Sequence, residues 1–244
     1  RHVDWQVWAR QDRLYIKQYE EDTNLRCHLL VDVSESMKYG RGLYNKYDYG
    51  CTIAACLAWL VAKQQDSIGL ATFDSGVFQR VPVSSRRNHI LSVTKALAET
   101  RLQDKTEIGA VFRKVAESFP RRGLIVVISD LLTDTAATLK GLRLLRQQGH
   151  DVMVFHIMDD EELDFEFSGP TQFDGLESGP SLRCNPRALR DGYLRELNSF
   201  LERLKHGCAK QAVDYALIRT SDPFGMVLSR YLNRRLGMHQ RNHA

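Results

Sequence analysis

The sequence has no apolar run near the ~20 residues that a membrane-crossing helix needs. It has no basic stretch followed by a short apolar one, so no secretory signal is read. It has no Cys-x-x-Cys pair. Its five cysteines, Cys27, Cys51, Cys56, Cys184 and Cys208, are odd in number and scattered, which argues against a disulfide framework and against a zinc site. Several lie in apolar stretches, as buried thiols do, and a reducing cytoplasm is the expected location. A dominant sign of charge is missing too: the net charge is +4, and both signs are interspersed. The tightest basic clusters, Arg86-Arg87, Arg121-Arg122 and Arg234-Arg235, are single pairs, too weak a bias for a nucleic-acid footprint. There is no Gly-x-Ser-x-Gly elbow, no phosphate-binding P-loop, no internal repeat and no low-complexity segment. The histidines, among them His89, His150 and His156, show no ligand spacing. His156, within an apolar strand, reads as a core residue.

What remains is an ordinary globular composition. The 244 residues are 43% hydrophobic and 26% charged, enough for one large domain or one domain with a small appendage. The chain opens on Arg1 rather than Met, so upstream elements are expected to precede it.

One stretch organises the rest: Leu29-Leu30-Val31-Asp32-Val33-Ser34-Glu35-Ser36-Met37. An apolar run, the signature of a strand buried on both faces, ends in Asp-x-Ser-x-Ser. Such an ending hands three oxygen side chains to the carboxyl edge of the sheet, where open α/β sheets hold their ligands. Hard oxygens suit a hard cation such as Mg²⁺.

Taken in order, residues 1–24 read as an N-terminal β segment. It carries Trp5 and Trp8 and a half-wet strand at Leu14–Tyr19. Residues 25–244 form the main domain. The first core strand runs from Leu25 to Val33, and the loop Lys38–Lys46 with Gly40 and Gly42 is able to bend over the site. A heavily buried helix is expected over Tyr47–Lys63, with Ile53, Leu57, Trp59 and Leu60 among its apolar residues. Ser67–Phe73 is a strand, Asp74-Ser75-Gly76 a tight turn, and Val77–Val83 an antiparallel return that Pro82 marks as an edge. Helices follow over His89–Thr100 and after Thr106, the latter with Ile108, Val111, Phe112, Val115 and Phe119 on one face and a stop at Pro120.

Leu124–Ile128 is a second fully apolar strand, ending in Ser129-Asp130. A helix over Thr135–Gln148 stops at Gly149. The strand Asp151–Met158 and an acidic segment to Asp164 come next. A glycine- and proline-rich β-hairpin excursion is placed at about 164–186. The helix Arg187–Lys210 is read with Leu189, Tyr193, Leu197, Phe200 and Leu204 facing inward. Asp214–Arg219 is the last strand, and Pro223 opens a final helix to about Leu236. This order describes an α/β domain with a mostly parallel sheet between two helix layers.

If the two apolar strands are neighbours, Asp32, Ser34, Ser36, Thr106 and Asp130 converge at the topological switch point. Two carboxylates and three hydroxyls form an oxygen set that Mg²⁺ accepts while keeping water in its remaining positions.

These five residues resemble the metal-ion-dependent adhesion site of von Willebrand factor A domains. Further stretches extend the likeness: Asp4-Trp5, Tyr15-Ile16-Lys17, Leu30-Val31-Asp32-Val33-Ser34-Glu35-Ser36-Met37, Gly69-Leu70-Ala71-Thr72-Phe73, Arg121-Arg122-Gly123-Leu124 and Asn185-Pro186-Arg187-Ala188-Leu189. With them the chain is similar to a bacterial A-domain-like family, domain of unknown function 58, whose members are commonly encoded beside MoxR-type AAA+ ATPases. The resemblance implies a Rossmann-like sheet with helices on both faces. It implies a divalent cation, Mg²⁺ foremost and Mn²⁺ or Ca²⁺ as substitutes, held by Ser34, Ser36 and Thr106, with Asp32 and Asp130 binding directly or through water. It implies binding rather than catalysis: a cytoplasmic protein-interaction domain that meets a MoxR-type ATPase and a target protein offering an Asp or Glu. The sequence departs from the pattern at Lys105, where A domains usually place glycine.

Plainer readings stand beside these. The serines and the aspartate of Asp32-x-Ser34-x-Ser36 could merely cap the next helix, and Thr106 could be a helix N-cap. Asp48 and Asp134 could orient the site, although capping or solvation explains them. Glu35 lies beside the site and its exposure alone accounts for it. The alternative functions are a Mg²⁺-dependent phosphatase or hydrolase, with Asp32 as nucleophile, and a structural scaffold whose metal site has degenerated. Against the first, a phosphatase of the haloacid-dehalogenase type places a second aspartate where Ser34 stands.

Overall fold

The computed structural model describes residues 25–74, 77–100, 108–119, 121–167, 171–173, 182–230 and 232–233. The expected features at residues 1–24, including Trp5, Trp8 and the Leu14–Tyr19 strand, lie outside the described residues. So do Lys105, Thr106, Pro120 and the tail beyond 233.

Six strands form the main sheet. They are β1 (Arg26–Asp32), β2 (Ser67–Phe73), β3 (Val77–Ser84), β4 (Leu124–Ser129), β5 (Asp151–Met158) and β8 (Asp214–Arg219). Their order is β3-β2-β1-β4-β5-β8. All neighbours are parallel except β2 and β3. β3 is an edge strand, which is where Pro82 can dispense with an N–H. Two short strands, β6 (Thr171–Phe173) and β7 (Leu182–Cys184), pair antiparallel in a separate sheet, as the expected hairpin excursion requires.

The connections explain the two layers. α1 (Lys46–Lys63) and α2 (His89–Glu99) pack on one face, together with the helical backbone at 224–230 and 232–233 (α7). α3 (Ile108–Ser118), α4 (Thr135–Gln147) and α6 (Pro186–Lys210) cover the other. Alternation along each strand divides the core accordingly. Cys27, Leu29, Val31, Val126, Ile128, Phe155 and Ile157 face the first layer. Leu30, Ile125, Val127, Val152 and Val154 face the second. Side chains of period two, apolar on both faces, are what a central parallel strand requires. The mixed α/β fold with a mostly parallel sheet is the one expected.

Three expectations need adjustment. The acidic segment after β5 is a short helix, α5 (Asp160–Asp164), with a capping box in which the Asp159 and Glu162 side chains satisfy each other's backbone ends. Leu189 does not face inward: it is 41% exposed, while the buried residues of α6 are Pro186, Leu197, Leu204 and Cys208. Trp59 on α1 is also exposed, with the Lys63 ammonium 4.9 Å from its ring centroid. No helix among the described residues is long and apolar enough to cross a membrane.

Candidate metal-binding site

β1 and β4 are neighbours in register, with Val31 opposite Ile128. From β1 the chain winds outward one way through β2, and from β4 the other way through β5. The switch point therefore lies between them, and both carboxylates emerge there. Asp32 and Asp130 are both buried.

The local backbone aims these groups. The Ser34 N–H donates to Asp32 Oδ1 at 2.9 Å, and the Ser129 hydroxyl donates to Asp32 Oδ2 at 2.5 Å. Ser129 Oγ also accepts from the Leu131 N–H at 2.9 Å, so one hydroxyl ties the end of β1 to the turn after β4. Leu131 has φ +51°, a left-handed conformation that a leucine adopts only when its surroundings impose it. Here its own N–H, that of Leu132 on Asp130 Oδ1 (3.2 Å) and burial of its side chain do so.

Ser34 precedes a 3-10 turn at Glu35–Lys38, yet its side chain makes no cap hydrogen bond. The capping reading therefore fails for Ser34. Its hydroxyl instead lies 3.0 Å from the Ser36 hydroxyl. Glu35 is paired with Lys38. Asp134 caps α4 through the Ala136 and Ala137 N–H groups. Asp48 is exposed in the first turn of α1, where its N–H donates to the Asn45 side chain at 2.7 Å. Both aspartates serve the starts of their own helices rather than the site.

The largest surprise is Lys46. Its side chain is 0% exposed, and its ammonium bonds Asp130 Oδ2 at 2.7 Å and Glu162 Oε1 at 2.8 Å. It comes from the first turn of α1, one turn before Gly50. Residues four apart share a helix face. A Cβ on Gly50 would meet Ile128 at 3.0 Å and Ile157 at 3.2 Å. The glycine lets α1 lie close to the sheet, and that approach carries Lys46 over the carboxyl edge. Burial alone would lower the ammonium's pKa, but the Asp130 and Glu162 carboxylates outweigh it and hold it above the usual lysine range. Glu162 is raised by burial, against the pull of Lys46. Its second oxygen accepts from the Asp159 N–H at 2.9 Å, so the α5 capping box also fixes the lysine's partner. Tyr39 donates to Glu161 at 2.9 Å and Arg41 pairs with the same carboxylate, which ties the 39–45 loop to α5.

The cluster thus holds three buried or half-buried carboxylates, Asp32, Asp130 and Glu162, against one ammonium. With all three ionised it carries two negative charges in excess. Burial first, and then the Asp130 carboxylate nearby, push Asp32 up to about 7, because a buried carboxylate beside a second one resists ionising.

One divalent cation would balance that excess. The donors also suit one: two ligands on adjacent corners of an octahedron with bonds of about 2.1 Å lie about 3.0 Å apart, and the two serine hydroxyls have that separation. Among the described residues there is no cluster of three His, Cys, Asp or Glu fit for a metal. A cation here would rest on serine hydroxyls together with carboxylate. The structure brings Asp32, Ser34, Ser36 and Asp130 together. Thr106 is not among the described residues. Ser129, Lys46 and Glu162 escaped the sequence reading; Asp159-x-x-Glu162 was the only local signal, as a capping pattern.

Residues 1–200 match the family described as Protein of unknown function DUF58, and the chain belongs to that family. Uncharacterized proteins of Mycobacterium tuberculosis and Mycobacterium bovis are each 25% identical over 200 residues, which cover 80% of this chain and 62% of theirs. The chain thus spans less than two thirds of the length of these relatives. Among solved structures, an aerotolerance-related membrane protein from Bacteroides fragilis superposes with a TM-score of 0.59 at 18% identity, over 88% of this chain and 99% of the other. A conserved hypothetical protein, BatB, from Bacteroides thetaiotaomicron gives 0.56 at 17%, over 86% and 98%. At such identities the likeness is one of fold.

Proposed function

We propose that this member of the DUF58 family is a metal-dependent protein-interaction domain. A divalent cation, Mg²⁺ first, binds at Asp32, Ser34 and Ser36, with Thr106 and Asp130 completing its surroundings. A position left open to water takes an Asp or Glu from a partner protein. The observation that carries this reading is the buried oxygen cluster at the switch point, in which three carboxylates face one ammonium. A cation that satisfies such a cluster and keeps an open position attracts an anionic ligand and fixes its direction.

The surroundings favour a protein as that ligand's bearer. Leu43, on the loop between Ser36 and Lys46, is 97% exposed, and Leu132, two residues past Asp130, is 43% exposed. Apolar side chains on the rim of a charged centre suit a macromolecular partner. The partner we assign is a MoxR-type AAA+ ATPase, acting with this domain on a target complex in the cytoplasm, where the thiols of Cys51, Cys56 and Cys208 stay reduced. No observation favours hydrolysis: Ser34 stands where a phosphatase of this layout needs its general acid.

Pull-down of the ATPase by the domain tests the reading. Capture is expected with Mg²⁺ and is lost with EDTA or with the pair Asp32→Ala, Ser34→Ala. Equal capture under all three conditions would overturn it. A screen with generic phosphatase and esterase substrates would expose the enzyme reading, if activity appeared and Asp32→Asn removed it.

A further inference from the structure

Lys46 is charged, fully buried and placed against a residue of the expected ligand set. We infer that Lys46 is a positioning residue that holds Asp130 out of direct contact with the cation. The inference rests on the metal-binding reading above and adds to it which carboxylate does the binding.

The two carboxylates differ in their donors: Asp32 accepts from neutral groups, the Ser34 N–H at 2.9 Å and the Ser129 hydroxyl at 2.5 Å, whereas Asp130 Oδ2 accepts from the Lys46 ammonium at 2.7 Å, with Oδ1 on the Leu132 N–H at 3.2 Å. For Oδ2 to enter the cation's inner sphere, the ammonium would have to retreat. It has no exposed surface to retreat to, and Glu162 grips it from the other side at 2.8 Å. Glu162 in turn is fixed by the Asp159 N–H, and the Lys46 backbone by its own N–H on the Tyr39 carbonyl at 2.8 Å. The ammonium is therefore a fixed positive charge beside the site.

Two consequences follow. The cation is carried by Asp32 and the serine hydroxyls, while Asp130 acts through water. With one carboxylate withheld and a positive charge close by, the cation binds more weakly than the oxygen count suggests, and it remains electron-poor toward an added anion. Lys46 thereby biases the open position toward a carboxylate rather than a neutral ligand. Lysine suits this role as a compact, strongly hydrated point charge, whereas a planar arginine would demand a bidentate partner.

The test is Mn²⁺ binding to the metal-stripped protein, read by electron paramagnetic resonance of the free ion. The chosen variant, Lys46→Met with Glu162→Gln, removes one positive and one negative charge, so that the cluster's formal charge is unchanged and Asp130 is released. We expect this double variant to bind Mn²⁺ at least tenfold more tightly than the wild type, and to gain more in thermal midpoint on Mn²⁺ addition. We expect Asp130→Asn to weaken binding at most threefold in the wild type but at least tenfold in the double variant. Circular dichroism of each protein establishes that it is folded, and the single variant Glu162→Gln, which removes one negative charge but leaves the Lys46–Asp130 pair intact, should bind no more tightly than the wild type.

If the wild type binds and the folded double variant binds equally or less tightly, the inference is overturned while the metal-binding reading stands. The same holds if Asp130→Asn costs tenfold already in the wild type. If no folded variant binds Mn²⁺, the metal-binding reading falls and takes the inference with it.

Discussion

The two edges of the central sheet bury polar groups in different ways. At the carboxyl edge the buried groups are ionic: Asp32, Asp130 and Lys46, with Glu162 alongside. At the amino edge they are the imidazoles of His28 and His150 and the carboxylate of Asp66, which accepts the Leu25 N–H at 2.9 Å. His28, in β1, packs its ring 3.9 Å from that of Phe119, and burial, then the nearby His150 and arginines, push it down to about 4. His150, just before β5, is lowered by burial as well. A neutral imidazole can live in a core at modest cost, whereas a group of unbalanced carboxylates cannot do so unless something else compensates. The amino edge is therefore a finished piece of core. The carboxyl edge is built for an ion that arrives from outside.

The comparison can be broken at its most expensive point. Replacing Lys46 by Ala leaves Asp130 and Glu162 unpaired. It should cost about 3–5 kcal/mol of stability in urea unfolding. His28→Leu at the other edge exchanges a neutral polar ring for an apolar side chain, and should change stability by less than about 1.5 kcal/mol. Equal costs for the two would remove the distinction between the edges.

Acid should act chiefly through the neutral histidines. His28 and His156 are both held at about 4 by burial, while the unfolded chain titrates near 6.5. Between these values the unfolded state binds more protons, so stability is lost as pH falls from 6.5 toward 4, by at most about 3 kcal/mol per residue. His28→Leu should flatten that slope. Asp32 works in the other sense. Raised to about 7 against an ordinary 3.8, it binds its proton more tightly in the metal-free native state. Its contribution is therefore lost as pH rises from about 4 to 7. A cation that replaces that proton should raise the melting temperature more at pH 8 than at pH 5. A rise independent of pH would detach Asp32 from the metal.

Smaller changes sharpen the picture. His156 sits on β5 with Nδ1 2.6 Å from the Tyr215 hydroxyl. The core reading of His156 holds, since the residue is fully buried. Tyr215→Phe should cost about 1 kcal/mol, the worth of one such bond, measured by urea unfolding with metal binding unchanged. Leu43→Ser should leave stability within about 0.5 kcal/mol, as surface substitutions do, while reducing capture of the partner.

The parts of this molecule legible in its sequence are those fixed by local pattern. Asp151–Met158 and Asp214–Arg219 stand out as apolar runs bounded by turn residues, and the structure places both strands there. Asp32, Ser34, Ser36 and Asp130 could be gathered because each follows a buried strand directly, so that sheet topology alone brings them together. Lys46 could not. A lysine at the start of a helix ordinarily points to water, and only the close approach allowed by Gly50, with the acidic helix α5 beyond β5, draws it into the core. Leu189 shows the converse: periodicity gives the face of a helix but not which of its turns are covered.

The central claim is that the carboxyl edge awaits a divalent cation on Asp32 and its two serines. Calorimetric titration of Mg²⁺ into the metal-stripped protein tests it most directly, with Asp32→Ala as the control. The account predicts saturable binding at a single site that the substitution abolishes. Heats that do not saturate, or a site that survives the loss of Asp32, would contradict it.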